Sequence, residues 1–309
     1  MEEENMKKIL LFAIAGLTLL AACNKNETNE PAPQPQKMTI TLGAPAMGTK
    51  TVLTPTGSGN IGFKQAWKVG DAIALIYFHD VISGLQNEKF VCTEVNLDGS
   101  AKFTCDASQI ATATETRSVV NIVYPYSSEK NMSGYPRIDV RSFDGTLANL
   151  PDYCVFNASS NINSDGSIDA VTSFTNDVVI LRIPAGTLLV NGATGTESIT
   201  LSIGAVEANK FGNDFSMRQS GMSAGTNNAG EYVYNLPASM TGGVLDNDVY
   251  AVWYHHSSWG ACSLNINVIC NGGAHHYYNL ASYDFAMGNV YTLSQATLNA
   301  GNGGTVHTY

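Results

Sequence analysis

The sequence has little charge, and little of that charge is positive. Only 14% of its 309 residues are charged, with 16 lysines and arginines against 26 aspartates and glutamates. No long basic run occurs in the chain. A surface that binds phosphates needs clustered positive charge, so this composition excludes a nucleic-acid-binding protein. The net charge of −10 suits an acidic body in an extracellular compartment.

Metal-binding motifs are also missing. The 6 cysteines are Cys23, Cys92, Cys105, Cys154, Cys262 and Cys270. None of them forms a Cys-x-x-Cys pair, and none has metal-ligand spacing to a histidine. The pairs His255–His256 and His275–His276 are adjacent residues, and neighbours on a strand point to opposite faces. We interpret them as surface histidines and expect neither a metal nor a cofactor.

No hydrophobic run is long enough to cross a membrane as a helix, which takes about 20 residues. The apolar run from Ile9 to Leu20 is shorter, follows the basic start Lys7–Lys8, and ends at Leu20–Ala21–Ala22–Cys23. This pattern predicts a lipoprotein signal peptide over residues 1–22 and a lipid on Cys23. A plain secretory signal with an incidental cysteine is the alternative. Residues 23–37, with alternating prolines, are predicted to form an extended tether.

Sustained helical periodicity is absent as well. No window of 12 residues shows it, whereas short stretches of alternating or β-branched residues recur between turn residues. The run from Ala72 to Phe78 is apolar on both faces, which predicts a strand covered on both sides. We predict an all-β protein of two sandwich domains, residues 38–170 and 171–309.

One hairpin predicts a disulfide. Asp98–Gly99 is a strong two-residue turn signal, and a tight turn there places Cys92 directly opposite Cys105. An oxidising compartment permits a bridge between them. The alternative is two small buried thiols stacked across the hairpin.

Two motifs suggest chemistry that their context does not support. Gly221–Met222–Ser223–Ala224–Gly225 matches a nucleophile elbow but lacks the preceding strand and following helix, so we interpret it as a loop and expect no enzyme. The stretch 161–169 resembles the start of a calcium loop, yet it lacks the final glutamate and flanking helices. We interpret that stretch as a hairpin turn.

Aromatic residues cluster near the first histidine pair. Trp253, Tyr254 and Trp259 are candidate stacking residues for a sugar, and further tyrosines follow the second pair. The alternative is that they are ordinary strand-core and rim aromatics.

Several short motifs, taken in order, resemble the fimbrillin family of the Bacteroidetes, the lipoprotein precursors of pilus subunits. They are Trp67–Ile73, Leu97–Phe103, Ile122–Tyr126, Phe174–Asn176 and Met287–Leu293. The resemblance implies two transthyretin-like Greek-key sandwiches, export to the outer surface of the cell, and polymerisation with other pilus subunits by strand donation. It also implies proteolytic removal of the first strand, here Met38–Leu42.

The same resemblance assigns roles to particular residues. Family members are cut after a basic residue, usually arginine, and the matching residue here is Lys50. The expected donor strand is the closing one, comprising Val290, Tyr291, Thr292 and Leu293. The predicted function is thus an adhesive pilus subunit or accessory subunit anchored in the outer membrane by its lipid, with a host protein or glycan as ligand. A monomeric glycan-binding surface lipoprotein is the alternative.

Overall fold

The protein folds almost entirely into β-strands. The computed structural model describes residues 35–44, 54–56, 62–64, 66–79, 84–110, 120–132, 134–163, 167–171, 174–176, 178–218, 221–226, 228–254, 260–293, 295 and 306–308. Two short 3-10 turns, Val140–Ser142 and Leu150–Tyr153, interrupt the strands. Among these residues no helix has the length and apolar character to span a membrane. The prediction of an all-β protein is confirmed.

The first half of the chain forms sheet I. Its seven strands run in the order β1-β6-β5-β4-β7-β9-β10, and all neighbours are antiparallel. They are β1 (Gln36–Leu42), β4 (Ala72–His79), β5 (Gly84–Val95), β6 (Ala101–Ser108), β7 (Val120–Tyr124), β9 (Phe156–Ser160) and β10 (Thr175–Asn176). The short pair β2 (Thr54–Thr56) and β3 (Gly62–Lys64) forms a separate hairpin. Strand β4 is central and buried on both faces, as its sequence predicts.

Sheet II combines one strand from the first half of the chain with five strands from the second half. It is ordered β14-β13-β17-β11-β20, and β8 pairs with β13. The strands are β8 (Arg137–Asp139), β11 (Val178–Ile183), β13 (Gly212–Arg218), β14 (Gly221–Thr226), β17 (Val249–Tyr254) and β20 (Val290–Thr292). Strand β8 lies in the connection from β7 to β9, so one excursion from sheet I reaches sheet II and returns.

Sheet III is built from the second half alone. Its six strands are ordered β16-β15-β12-β18-β19-β21. They are β12 (Thr196–Ala205), β15 (Tyr232–Thr241), β16 (Val244–Leu245), β18 (Cys262–Cys270), β19 (Ala274–Tyr283) and β21 (Val306–Thr308). Inward residues of all three sheets belong to one buried hydrophobic cluster, and Gln36–Tyr309 forms a compact unit. The division at residue 170 stays a prediction.

The predicted register of the β5–β6 hairpin is wrong. Gly99 has a φ of 84°, and the N–H of Asn96 donates to the carbonyl of Ser100, so the loop has three residues instead of two. A bulge between Cys92 and Glu94 shifts the pairing further, and Cys92 lies opposite Phe103. Cys105, two residues further along β6, is therefore a diagonal neighbour of Cys92. Both are free thiols, and we do not propose a bridge.

Two other expectations differ from the structure. The tether was expected to extend to Lys37, but β1 begins at Gln36, which pairs with Ser108. The segment 221–226 was expected to be a loop, but it forms strand β14 and pairs antiparallel with β13. The residues on either side of 164–166 pair with each other: Asn163 donates to the carbonyl of Ser167, and Asp169 donates to that of Asn161, while the predicted turn itself lies outside the described residues.

Candidate functional site

Strand β1 forms one edge of sheet I and lies where strand removal is predicted. Its residues alternate: Ile40 is 6% exposed and Leu42 is 1% exposed, while Thr39 and Thr41 lie on the outer face. Met38 is partly buried against the same core. The predicted alternation of Met38–Leu42 is confirmed, and the inward side chains fill one end of the core.

The surface beneath β1 is apolar. Ile40 pairs with Phe103 and Leu42 with Ala101, and both partners are fully buried. Trp67 packs edge-on against Phe103, with ring centroids 5.0 Å apart. Loss of β1 would expose this surface to water. The free-energy cost is roughly 25 cal/mol for each Å² of apolar area that is exposed.

Few polar side-chain contacts hold β1 in place. The ion pair between Lys37 and Asp106 spans 3.1 Å, but both side chains are largely exposed, so it stabilises little. The hydroxyl oxygens of Thr39 and Thr104 lie 3.1 Å apart on the outer face. Thus the strand is retained mainly by its ladder with β6 and by the burial of its inward residues.

The chain is fastened again just after β1. The N–H of Gly43 donates to the carbonyl of Val171 over 2.7 Å, and the indole N–H of Trp67 donates to the carbonyl of Gly43 over 2.9 Å. A parallel bridge joins Leu42 to Val171. These contacts close the end of the groove where the predicted processing segment begins.

A half-buried carboxylate organises the opposite end. Glu88 accepts hydrogen bonds from the hydroxyl of Tyr77 at 2.7 Å, the hydroxyl of Ser108 at 2.6 Å and the N–H of Gln109 at 2.6 Å. Burial, followed by the negative charge of Glu88, raises the pKa of Tyr77 far above its usual value. Since Ser108 also contacts the sulfur of Met38, this network fixes the end of β6 where β1 begins.

The predicted donor strand is an edge strand of sheet II. Strand β20 pairs in parallel with β11 through Val290, Tyr291 and Thr292. Tyr291 packs against Phe285 with centroids 4.9 Å apart, and its hydroxyl accepts a hydrogen bond from the N–H of Ala286. Leu293 is only 3% exposed. The donor role of this short segment stays a prediction.

The predicted sugar-stacking role of Trp253 and Tyr254 is wrong. Trp253 is fully buried and Tyr254 is 5% exposed, because β17 is an inner strand of sheet II and is covered on both faces. Trp253 stacks on Phe211 at 4.3 Å, which leaves no ring face for a ligand. Of the other predicted site residues, Cys23, Lys50 and Trp259 lie outside the described part of the chain.

Sequence reasoning missed a cleft in the connection between β7 and β9. It has a volume of about 310 Å³, and its walls come from residues 125–129, 137–139, 142 and 152–153. The motif Ile122–Tyr126 overlaps one wall, but its sequence indicated only the family resemblance. Long connections with their own structure often carry function.

An ordered group of charges lines this cleft. Arg137 donates to Asp139 at 2.6 Å and lies 3.5 Å from Asp214, while Arg141 also donates to Asp139 at 2.6 Å. Burial opposes ionisation of Asp139, but the hydrogen bonds and charge of Arg141, with the charge of Arg137, outweigh it and lower its pKa. Asp139 is therefore an ionised group that holds both arginines.

Three solved structures resemble the chain over most of its length. One, from Bacteroides uniformis, is provisionally described as a cell adhesion protein; it is 15% identical, with 88% of this chain and 97% of that chain covered and a TM-score of 0.43. A protein of the same description from Bacteroides eggerthii is 14% identical, with coverages of 90% and 92% and a TM-score of 0.38.

The third is the tip fimbrial protein Mfa3 of Porphyromonas gingivalis, in a C-terminally truncated form. It is 8% identical, with coverages of 82% and 83% and a TM-score of 0.34. No protein-family model matches the sequence, and no curated protein matches it either. These values are too low to carry an argument about function, which rests on the residues and their geometry.

Proposed function

We propose that this chain is a surface lipoprotein that assembles into a filament as a subunit or accessory subunit and serves adhesion. The observation that carries the proposal is the edge strand β1. It buries Ile40 and Leu42 in the core, yet the ion pair that the described residues show for it is exposed and weak, and its described partner is β6, which is distant in sequence. A strand of this kind can be replaced by an equivalent strand from another copy.

The proposed assembly follows from this edge. A lipid on Cys23 holds the precursor in the outer membrane, and β1 keeps the precursor monomeric. Cleavage after Lys50 separates β1 from the rest of the chain and lets it leave. The exposed groove over Phe103 and Ala101 then takes an alternating donor, for which we propose residues 290–293 of another subunit.

Limited proteolysis tests this mechanism. The precursor without its signal peptide is treated with trypsin, then analysed by N-terminal sequencing and size-exclusion chromatography. We expect cleavage at Lys50, loss of the N-terminal fragment that ends at Lys50 and contains β1, and the appearance of oligomers. The Lys50→Gln variant is the matched control and should remain monomeric. A cleaved product that stays a folded monomer and retains β1 would refute strand exchange.

A second candidate function is that of a monomeric glycan-binding lipoprotein. The buried aromatics of β17 cannot support it, but the cleft between β7 and β9 favours a small ligand. Electron microscopy of material sheared from cells separates the two functions. Antibody-labelled filaments support the pilus subunit, whereas glycan retention by a protein found only as a monomer supports the second candidate.

A further inference from the structure

The cleft between β7 and β9 has the size of a small-molecule site. Its volume of about 310 Å³ lies at the lower end of the range of roughly 300–1,000 Å³ that is typical of ligand pockets. One connection builds it, and strand β8 within that connection is pinned to β13 by three residue pairs. The walls therefore rest on sheet structure at both sides, and the cleft is preformed.

A held hydrogen-bond donor lines the cleft. The terminal nitrogens of Arg137 are engaged by Asp139 and Asp214, so the guanidinium plane is fixed. Its Nε is buried, and no described residue accepts a hydrogen bond from it. Buried donors are normally paired, so the position of this guanidinium is set by its two aspartates and not by a partner for Nε.

Acceptors and aromatic rings complete the lining. Glu129 and Asp152 are exposed at the rim, and their carboxylates receive no hydrogen bond from the described part of the chain. Tyr153 packs on Phe143 with centroids 5.0 Å apart and places its hydroxyl 3.2 Å from Ser142. Tyr126 is half-buried on the other wall. The cleft thus combines a fixed donor, free acceptors and two tyrosine rings.

This combination favours a neutral polyhydroxylated ligand. An anion is disfavoured because the charge of Arg137 is already balanced by Asp139 and Asp214, and two further carboxylates stand at the rim. A metal ion is disfavoured because Asp139 is occupied by two arginines, and no group of ligands able to hold an ion occurs among the described residues. Hydroxyl groups both donate and accept, and the C–H faces of a sugar ring pack on aromatic side chains.

We propose that the cleft lined by Tyr126, Glu129, Arg137, Asp152 and Tyr153 binds a neutral saccharide. Glu129 and Asp152 accept from its hydroxyls, the partly exposed guanidinium of Arg137 donates to a ring or hydroxyl oxygen, and the tyrosines contact its C–H face. The inference adds a ligand class to the adhesive role proposed above and rests on that role only for its use in the cell. Binding itself is a property of the monomer.

Ligand-observed saturation-transfer NMR tests the site. The full mature chain is mixed with the methyl glycosides of glucose, mannose, galactose and N-acetylglucosamine in turn. We expect transfer to at least one of them. The Glu129→Gln/Asp152→Asn variant should raise the Kd at least about tenfold, since hydrogen bonds to charged groups are worth about 1.5–3 kcal/mol.

Two further variants separate recognition from folding. Tyr153→Leu keeps an apolar side chain against Phe143 but removes the ring face, and should weaken binding while the circular dichroism spectrum is unchanged. Tyr283→Ala alters an exposed tyrosine elsewhere and should bind as the wild type does. The proposal fails if none of the glycosides receives saturation, if the cleft variants bind normally, or if lysine methyl ester binds there in their place. None of these outcomes bears on filament assembly, which the trypsin experiment tests.

Discussion

Two carboxylates of sheet I differ in exposure and in the donors that they satisfy. Glu88 satisfies the hydroxyls of Tyr77 and Ser108 and the N–H of Gln109 at once. Glu94, on the same strand, bonds Lys102 at 2.8 Å, and its side chain is 52% exposed. Glu88 therefore contributes more to stability than Glu94, because only the removal of Glu88 leaves buried donors unsatisfied.

We expect Glu88→Ala to lower the free energy of unfolding by about 2–4 kcal/mol, because three donors lose their acceptor. Glu94→Ala should cost less than about 1 kcal/mol. Urea unfolding followed by fluorescence measures both. Equal losses in the two variants would show that the Glu88 network does not contribute to stability.

Asp248 gives the second prediction at this scale. Burial opposes its ionisation, but the hydrogen bond from Arg182 at 2.7 Å and that from the N–H of Ala185 outweigh it and lower its pKa below 3.8. Burial, with the charge of Asp248, also raises the pKa of Tyr250 to about 12. A carboxyl group whose pKa is lowered by folding stabilises the folded state. This stabilisation is fully present above the pKa of the unfolded state and is lost as the pH falls through the pKa of the folded state.

We therefore expect Asp248→Asn to lose about 2 kcal/mol at pH 7 and to show a smaller further loss below about pH 4 than the wild type. Asp106→Asn is the control, since its carboxylate is 86% exposed. Urea titrations from pH 7 to pH 3 measure both variants. If the free energy of unfolding of Asp248→Asn fell with pH as steeply as that of the wild type, the lowered pKa of Asp248 would be contradicted.

At the scale of elements, β1 is the strand whose exchange we propose. Thr39 and Thr104 are cross-strand partners with side-chain oxygens 3.1 Å apart, so cysteines at these positions are close enough to bridge. We expect oxidised Thr39→Cys/Thr104→Cys to stay monomeric after cleavage at Lys50 and to form oligomers when reductant is added. Size-exclusion chromatography with and without dithiothreitol measures this.

The single variant Thr39→Cys is the control, and it should behave as the wild type under both conditions. Oligomers that form equally well from the locked protein would mean that β1 does not have to leave.

Strand identity was predictable from local sequence, whereas strand partners were not. Alternation in β1 and the apolar runs of β4, β11 and β17 give their positions directly. The bulge between Cys92 and Glu94 has no sequence signal, and one extra residue was enough to misalign the cysteines. Burial of Trp253 depends on the neighbours of β17 in sheet II, which come from distant parts of the chain.

The cleft was unpredictable for the same reason. Its walls come from residues up to 28 apart in sequence, from Pro125 to Tyr153, and from a strand that joins a sheet of the other half. No short motif contains the pairing of Arg137 with Asp214, because β8 and β13 are joined only in the fold.

At the scale of the whole molecule, the proposed location at the cell surface depends on Cys23. We expect Cys23→Ala to move the protein from the detergent phase to the aqueous phase in phase-separation experiments on cell extracts, since the tether would carry no lipid. Cys105→Ala is the control and should remain in the detergent phase. Detergent partitioning of Cys23→Ala would contradict lipidation at this residue.

Strand β8 has a mechanical consequence. It leaves sheet I after β7, pairs with β13 through Arg137, Ile138 and Asp139, and returns to sheet I at β9. A tensile load that pulls sheet I away from sheet II must peel these pairs apart and break the contact from Arg137 to Asp214 before the connection can extend. Under traction the cleft between β7 and β9 would deform at that same moment, so the affinity of the proposed saccharide site would change with the applied force.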